Sequence, residues 1–205
     1  MAAVKNVVFD VGNVLVKWDP ISVVRKTFPE MDNPEDFLPL IFRHPFWYDL
    51  NLGKLSIKEA IEEYHKALNI EKDSLKKLFD NAKESLVLLE DTLVIVEELY
   101  RSQVSLYIIT DNIHEFMAHL KQRYSFWNMF QGVVVSAEIG YLKPSPFIYR
   151  YLLENHQLNP QETVFFDDLQ ANVEGAKALD MHSFQFVGAA QCAEDLKKLG
   201  ITLTT

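Results

Sequence analysis

The chain has 205 residues, of which 48% are apolar and 24% charged, and this composition is typical of a globular protein that buries a substantial core. Its formal net charge of −9 argues against nucleic acid or an anionic membrane surface as a partner. The single cysteine, Cys192, excludes an intramolecular disulfide, and the lack of a signal-peptide pattern or of an apolar run of ~20 residues leads us to expect a cytoplasmic protein.

Five short segments rich in β-branched and aromatic residues predict strands. They lie at 4–9, 104–109, 133–135, 163–166 and 183–187. Several are apolar throughout, which is typical of strands buried on both faces of a parallel sheet. Segments with helical periodicity, such as TLVIVEELYRSQ and HEFMAHLKQRY, alternate with them. This order predicts a doubly wound, Rossmann-like α/β fold.

The segment between the first and second predicted strands differs from the rest of the chain. It carries only helical patterns: PISVVRKTF, NPEDFLPLIFRH, SIKEAIEEYHKALNI and EKDSLKKLFDNAKESL. Ser56 followed three residues later by Glu59 predicts a capping box at the start of one helix. We therefore expect an α/β core domain formed by residues 1–16 and 90–205, and a small all-helical cap domain formed by residues 17–89.

Polar residues follow four of the five predicted strands. Ligands of open α/β sheets bind beyond the carboxyl ends of the strands, so these positions are candidate site residues. They are Asp10, Gly12 and Asn13 after the first strand, Thr110, Asp111 and Asn112 after the second, Lys143 beyond the third, and Asp167, Asp168 and Asn172 after the fourth.

The carboxylates among these residues indicate a cation site. Asp10 and Asp168 would repel each other at neighbouring strand ends, and oxygen ligands favour Mg²⁺. Asp167 and Asp168 are adjacent, so one would face the site and the other would support it. Alone, Asp168 is equally well explained as a helix cap, and Lys143 as a solvated surface lysine. The combination of these residues at strand ends favours a functional site.

The four strand-end segments, in this order, resemble known motifs. VVFDVGNVLV, LYIITDN, GYLKPSPFIY and TVFFDDLQANVEGA are similar to the four motifs of the haloacid-dehalogenase-like hydrolase superfamily, and the helical insertion resembles its small helical cap. The resemblance covers essentially the whole chain. Within the superfamily, FDVGNVLV and the turn at 53–56 are most similar to bacterial phosphatases that act on α-glucose 1-phosphate.

The resemblance implies a Mg²⁺-dependent phosphatase that acts on a small phosphorylated metabolite such as a sugar phosphate. Asp10 would be the nucleophile and form an aspartyl-phosphate, and Lys143 would stabilise the charge on the transferred group. Mg²⁺ would be bound by Asp10, Asp168 and the backbone carbonyl of Gly12. Substrate binding would fall to Thr110, Asp111, Asn112 and Gly12. Asp167 and Asn172 would support the site.

Gly12 departs from the superfamily pattern, because phosphatases of this type usually carry an aspartate there as general acid and base. The proton would then come from Asp19, His44 or a metal-bound water, or activity would favour good leaving groups. Two alternatives remain: a non-catalytic protein that binds a phospho-ligand, and a metal-independent 2-haloacid dehalogenase. Aromatic residues at 42–48 would form the cap's own core, except that Trp47 or Tyr48 would face the site.

Overall fold

The computed structural model describes residues 3–203 and contains one five-stranded sheet. Its strands are β1 (Asn6–Phe9), β2 (Ser105–Thr110), β3 (Gly132–Val135), β4 (Thr163–Asp167) and β5 (His182–Gln185). All neighbouring strands are parallel, in the order β3-β2-β1-β4-β5. The predicted doubly wound α/β fold is therefore confirmed.

Eleven α-helices lie within residues 3–203. They are α1 (Pro20–Thr27), α2 (Leu38–Ile41), α3 (Pro45–Asn51), α4 (Ile57–Leu68), α5 (Lys72–Ser85), α6 (Glu90–Arg101), α7 (His114–Arg123), α8 (Ser136–Ile139), α9 (Pro146–Asn155), α10 (Gln170–Lys177) and α11 (Ala189–Lys198). Short 3₁₀ helices occupy Pro34–Phe37, Phe126–Met129 and Pro160–Glu162. Among the described residues, none of the helices combines the length and apolar character needed to cross a membrane.

The sheet separates two apolar layers because successive side chains of a strand point to opposite faces. Val7 and Phe9 of β1 face the larger layer, which includes residues of α6, α7 and α11. Val8 faces a smaller layer formed mainly with α9 and α10. Every residue of β1 is buried, as the continuous apolar run predicts for a central parallel strand.

Helices α1 to α5 lie between β1 and α6, in the segment that we propose as the cap. The chain leaves and re-enters the sheet domain at one place, where Lys17 N donates to Val87 O at 2.7 Å and Leu89 N donates to Leu15 O at 2.9 Å. The larger apolar layer continues into the insertion, since it includes Tyr64 of α4. The insertion therefore packs on the sheet domain through a shared core.

The predicted capping box at the start of α4 is present. Ser56 Oγ accepts a hydrogen bond from Glu59 N at 3.3 Å, and Ser56 N donates to Glu59 Oε2 at 2.8 Å. The helix is also tied to the sheet domain, because Ile57 N donates to Glu115 Oε1 of α7 at 2.8 Å. These bonds satisfy backbone donors that a helix N-terminus otherwise leaves without partners.

We expect Ser56→Ala to lower the free energy of unfolding by about 1 kcal/mol, since it removes the acceptor for Glu59 N. Ser145→Ala is the matched control, because Ser145 precedes α9 without a side-chain capping bond and its loss should change stability by less than about 0.5 kcal/mol. Urea unfolding followed by circular dichroism measures both. Equal losses in the two variants would contradict the role of the box.

Candidate active site

The register of the sheet brings the ends of β1 and β4 together. Phe9 pairs with Phe166, so Asp10 and Asp167 follow at the same level of two adjacent strands. Asp10 N donates to Phe166 O at 2.9 Å, which fixes the backbone at the point where β1 ends. The two carboxyl groups consequently share the carboxyl edge of the sheet, where ligands of this fold class bind.

A buried ammonium group joins these two carboxylates. Lys143 Nζ lies 2.8 Å from Asp10 Oδ1 and 2.6 Å from Asp167 Oδ2, and the lysine side chain is only 1% exposed. Asp10 Oδ1 also accepts a hydrogen bond from Val11 N at 2.7 Å. Lys143 is therefore a buried ion-pair partner of the strand-end carboxylates and not a solvated surface residue.

Two contacts hold the segment that carries Lys143 at the sheet edge. Its backbone N donates to Asp111 Oδ1 at 3.0 Å, so a residue after β2 positions the loop after β3. A Cβ atom at Gly175 of α10 would lie 2.9 Å from Pro144 Cβ, so the absence of a side chain at Gly175 lets this helix approach the loop closely. Lys143 is thus fixed from both sides.

The adjacent acids after β4 have different surroundings. Asp167 is completely buried and also accepts hydrogen bonds from Leu169 N and Asn172 Nδ2, each at 2.9 Å. Asp168 is half-buried, lines a cavity, and its Oδ2 accepts a bond from Asn13 Nδ2 at 3.0 Å. Asp167 is therefore enclosed by its hydrogen-bond partners, whereas Asp168 is in contact with the cavity.

The carboxylates form a cluster that suits a hard divalent cation. One oxygen each from Asp10, Asp167 and Asp168 lies within 4.8 Å of the others. All three donors are carboxylate oxygens, the type that Mg²⁺ and Ca²⁺ select. Lys143 supplies one positive charge against three carboxylates, which leaves excess negative charge for a cation to offset.

The electrostatics of the cluster reflect burial and close charges. Burial raises the pKa of Asp10 to about 7, with Lys143 opposing this rise and Asp167 adding to it. Burial also raises the pKa values of Asp111 and Asp168. Burial by itself lowers the pKa of Lys143, but the nearby carboxylates outweigh it and raise that pKa above its usual range. The ammonium therefore stays charged.

The residues after β2 occupy the other side of the site. Thr110 is fully buried, and its Oγ1 has no hydrogen-bond partner among the described residues. Asp111 and Asn112 line the cavity, although Thr110 itself does not. A buried hydroxyl without a partner costs free energy, which sets Thr110 apart from its neighbours.

A cavity of about 540 Å³ lies above the charged cluster, between the sheet edge and the helical insertion. The residues that line it on the sheet side include Asp10, Gly12, Lys143 and Asp168. The insertion contributes aromatic side chains to the lining. The sequence predicts that Trp47 or Tyr48 faces the site, and both residues line the cavity. The size is within the range of small-molecule sites.

The sequence gives Asn13 no role and does not select Ser136, yet both belong to this region. Asn13 adopts a left-handed conformation (φ 54°) that asparagine tolerates, and its Oδ1 accepts from Trp18 N at 2.9 Å while its Nδ2 reaches Asp168. Ser136, directly after β3, accepts a bond from Asn112 N at 3.0 Å. Ser136 follows the same strand-end rule that selected the other candidates and could have been found by it.

The two side chains considered as proton donors serve as helix caps. Asp19 Oδ1 accepts from Ser22 N at 3.1 Å at the start of α1, and hydrogen bonds from Ser22 lower the pKa of Asp19 below its usual range. His44 Nδ1 accepts from Phe46 N at 3.3 Å at the start of α3. Both side chains lie outside the cavity lining.

A family model described as haloacid dehalogenase-like hydrolase matches residues 50–186. The match covers more than half of the chain, so the chain belongs to the haloacid dehalogenase-like hydrolases. The solved structure of a member of this family from Bacteroides thetaiotaomicron, in complex with magnesium and inorganic phosphate, superposes with a TM-score of 0.71 at 20% identity and covers 89% of this chain and 93% of that one. The expected family and fold are thereby confirmed.

Two curated relatives extend over nearly the whole chain. Sesquiterpene phosphatase astK of Aspergillus oryzae is 22% identical over 95% of this chain and 96% of its own length. Bifunctional epoxide hydrolase 2 of Rattus norvegicus is 24% identical over 96% of this chain, which spans only 39% of that protein. The narrower resemblance to α-glucose 1-phosphate phosphatases is not confirmed by these comparisons.

We expect Lys143→Met to lower the free energy of unfolding by about 3–5 kcal/mol, because it leaves the buried carboxylates of Asp10 and Asp167 without a counter-charge. The control Lys66→Met removes an exposed ion pair with Glu63, which water and salt screen, and should leave the free energy of unfolding nearly unchanged. Urea unfolding in the presence of EDTA measures both. A loss of under 1 kcal/mol in Lys143→Met would contradict the proposed buried charge network.

Proposed function

We propose that this chain is a Mg²⁺-dependent phosphomonoesterase that acts on a small phosphorylated metabolite through an aspartyl-phosphate. The observation that carries the proposal is the cluster of Asp10, Asp167 and Asp168 within 4.8 Å, with the Lys143 ammonium on Asp10. The phosphatase relative astK and the neighbour crystallised with magnesium and phosphate support the same reaction class.

Asp10 is the proposed nucleophile. Its Oδ1 is held by Val11 N and Lys143 Nζ, whereas its Oδ2 has no hydrogen-bond partner among the described residues. Oδ2 forms the bond to phosphorus while the bond from phosphorus to the leaving oxygen breaks, and water then hydrolyses the acyl phosphate to restore the carboxylate. Lys143 keeps Asp10 oriented and offsets the charge that develops on the transferred group.

The proposed metal ligands are Asp10, Asp168 and the backbone carbonyl of Gly12. Bound Mg²⁺ would supply the positive charge that lets an anionic phosphate approach these carboxylates. Asn13 holds Asp168 in place through its 3.0 Å bond, and Asp167 and Asn172 support Lys143 from behind.

The phosphate oxygens are proposed to bind on the side of β2. Thr110 offers its unpartnered hydroxyl, and Asp111 and Asn112 line the cavity beside it. Gly12 has no side chain to protonate the leaving oxygen, so esters of more acidic alcohols should react faster.

Phosphate release from phenyl phosphate tests this function. Wild-type protein with Mg²⁺ should turn over, EDTA should abolish the activity, and Asp10→Asn should reduce it by at least about 10³-fold because the nucleophile is lost. The control Asp195→Asn replaces a buried aspartate of α11 outside the site and should retain activity.

Two results would replace the proposal. Saturable binding of phosphate with Mg²⁺, but no turnover of any ester, would identify a non-catalytic phospho-ligand binder. Chloride release from 2-chloropropionate in EDTA would identify a metal-independent dehalogenase.

Detection of a mass increase of one phosphoryl group on acid-quenched wild-type protein, absent from Asp10→Asn, would support the covalent intermediate.

A further inference from the structure

We infer that the substrate is a phosphate monoester whose alcohol is apolar, so that a hydrocarbon body fills the cavity above the charged cluster. This inference rests on the proposed phosphatase function and concerns the part of the substrate that leaves. The inferred substrate differs from the sugar phosphate that the sequence motifs suggest. The inference is based on the residues that line the cavity.

One wall of the cavity consists mainly of apolar and aromatic side chains. Residues that form it include Trp18, Leu38, Phe42, Trp47, Tyr48 and Phe116. The first five of these belong to the helical insertion, and Phe116 belongs to α7 of the sheet domain. The wall therefore spans the junction between the two parts of the chain.

The aromatic rings of this wall hold one another in place. The rings of Trp18 and Trp47 stack with centroids 5.9 Å apart, and Phe42 meets Trp47 edge to face at 4.9 Å. Phe116 lies 6.3 Å from Trp47 and 6.4 Å from Trp18. Such mutual packing gives a rigid apolar surface that does not need a ligand to form.

Polar partners for a sugar are scarce on this wall. The insertion contributes Arg43, Tyr48 and Asn51 as its polar lining residues, but Asn51 Nδ2 already donates to Trp47 O at 2.8 Å. Arg43 is solvent-exposed. A sugar ring carries several hydroxyl groups, and each one buried without a partner costs free energy.

The lining also carries few cations. Among the described residues that line the cavity, Lys143 and Arg43 are the cations, and Lys143 is engaged by Asp10 and Asp167. Burial of an apolar group against the wall is instead favourable in proportion to the area removed from water. The cavity thus combines a charged floor with an apolar wall.

A series of aryl phosphates tests the inference while the acidity of the leaving phenol stays nearly constant. Phenyl, 4-ethylphenyl, 4-butylphenyl and 4-hexylphenyl phosphate differ in apolar body but hardly in phenol acidity, and 4-(glucosyloxy)phenyl phosphate supplies the polar counterpart. We expect kcat/KM to rise up to about fourfold per methylene, the factor that ~0.8 kcal/mol per buried CH₂ gives. The glucosyl ester should react no faster than phenyl phosphate.

Variants of the wall locate the effect. Tyr48→Ser, at a side chain 51% exposed, and Leu38→Ser should each reduce the ratio of kcat/KM for the hexylphenyl over the phenyl ester by about threefold or more. The matched control Tyr100→Ser, at an aromatic residue 53% exposed on α6, should leave that ratio unchanged.

The outcomes separate the two proposals. The apolar substrate would be overturned by a kcat/KM that does not change along the alkyl series, by a higher kcat/KM for the glucosyl ester, or by an unchanged hexylphenyl-to-phenyl ratio in both wall variants. In each of these cases, turnover of phenyl phosphate would still support the phosphatase function. Failure to release phosphate from any of the esters with Mg²⁺ would overturn the phosphatase function and, with it, this inference.

Discussion

The site is organised around one buried ammonium group placed between two buried carboxylates. Lys143 contacts Asp10 and Asp167, which end neighbouring parallel strands and would otherwise repel each other. Removing such charges from water is costly unless they are paired and hydrogen-bonded, and here both conditions hold. The rest of the polar framework, including the Asp111 contact to the lysine backbone, keeps this pairing in place.

The helical insertion contributes to stability and to the cavity with the same side chains. Trp47 packs on Phe79 within the shared apolar layer and also lines the cavity above the carboxylates. Because the layer is continuous with the sheet core, the aromatic wall is held by the fold itself. A rigid wall can favour one kind of substrate without first paying the entropy of ordering.

Much of the site was predictable because strand ends can be read locally. Continuous apolar runs identify buried strands, and Asp10, Thr110 and Asp167 follow such runs directly. Ser136 obeys the same rule and could have been selected by it, but its role as the acceptor for Asn112 N is visible only in the structure. Asp19 and His44 show that a polar residue close to these motifs in the sequence can have a purely local role, because each side chain accepts a hydrogen bond from a nearby backbone N–H group.

The sequence by itself determined the alternation of strands and helices, the position of the insertion, and the residue types at each strand end. These properties depend on neighbours along the chain, through side-chain periodicity and capping. Only the tertiary structure decided that Lys143 pairs with Asp10 and Asp167, that Asp168 lines the cavity, and that aromatic residues of the insertion line the same cavity. Those contacts join residues far apart in the chain, so strand order, register and packing across the sheet edge had to fix them.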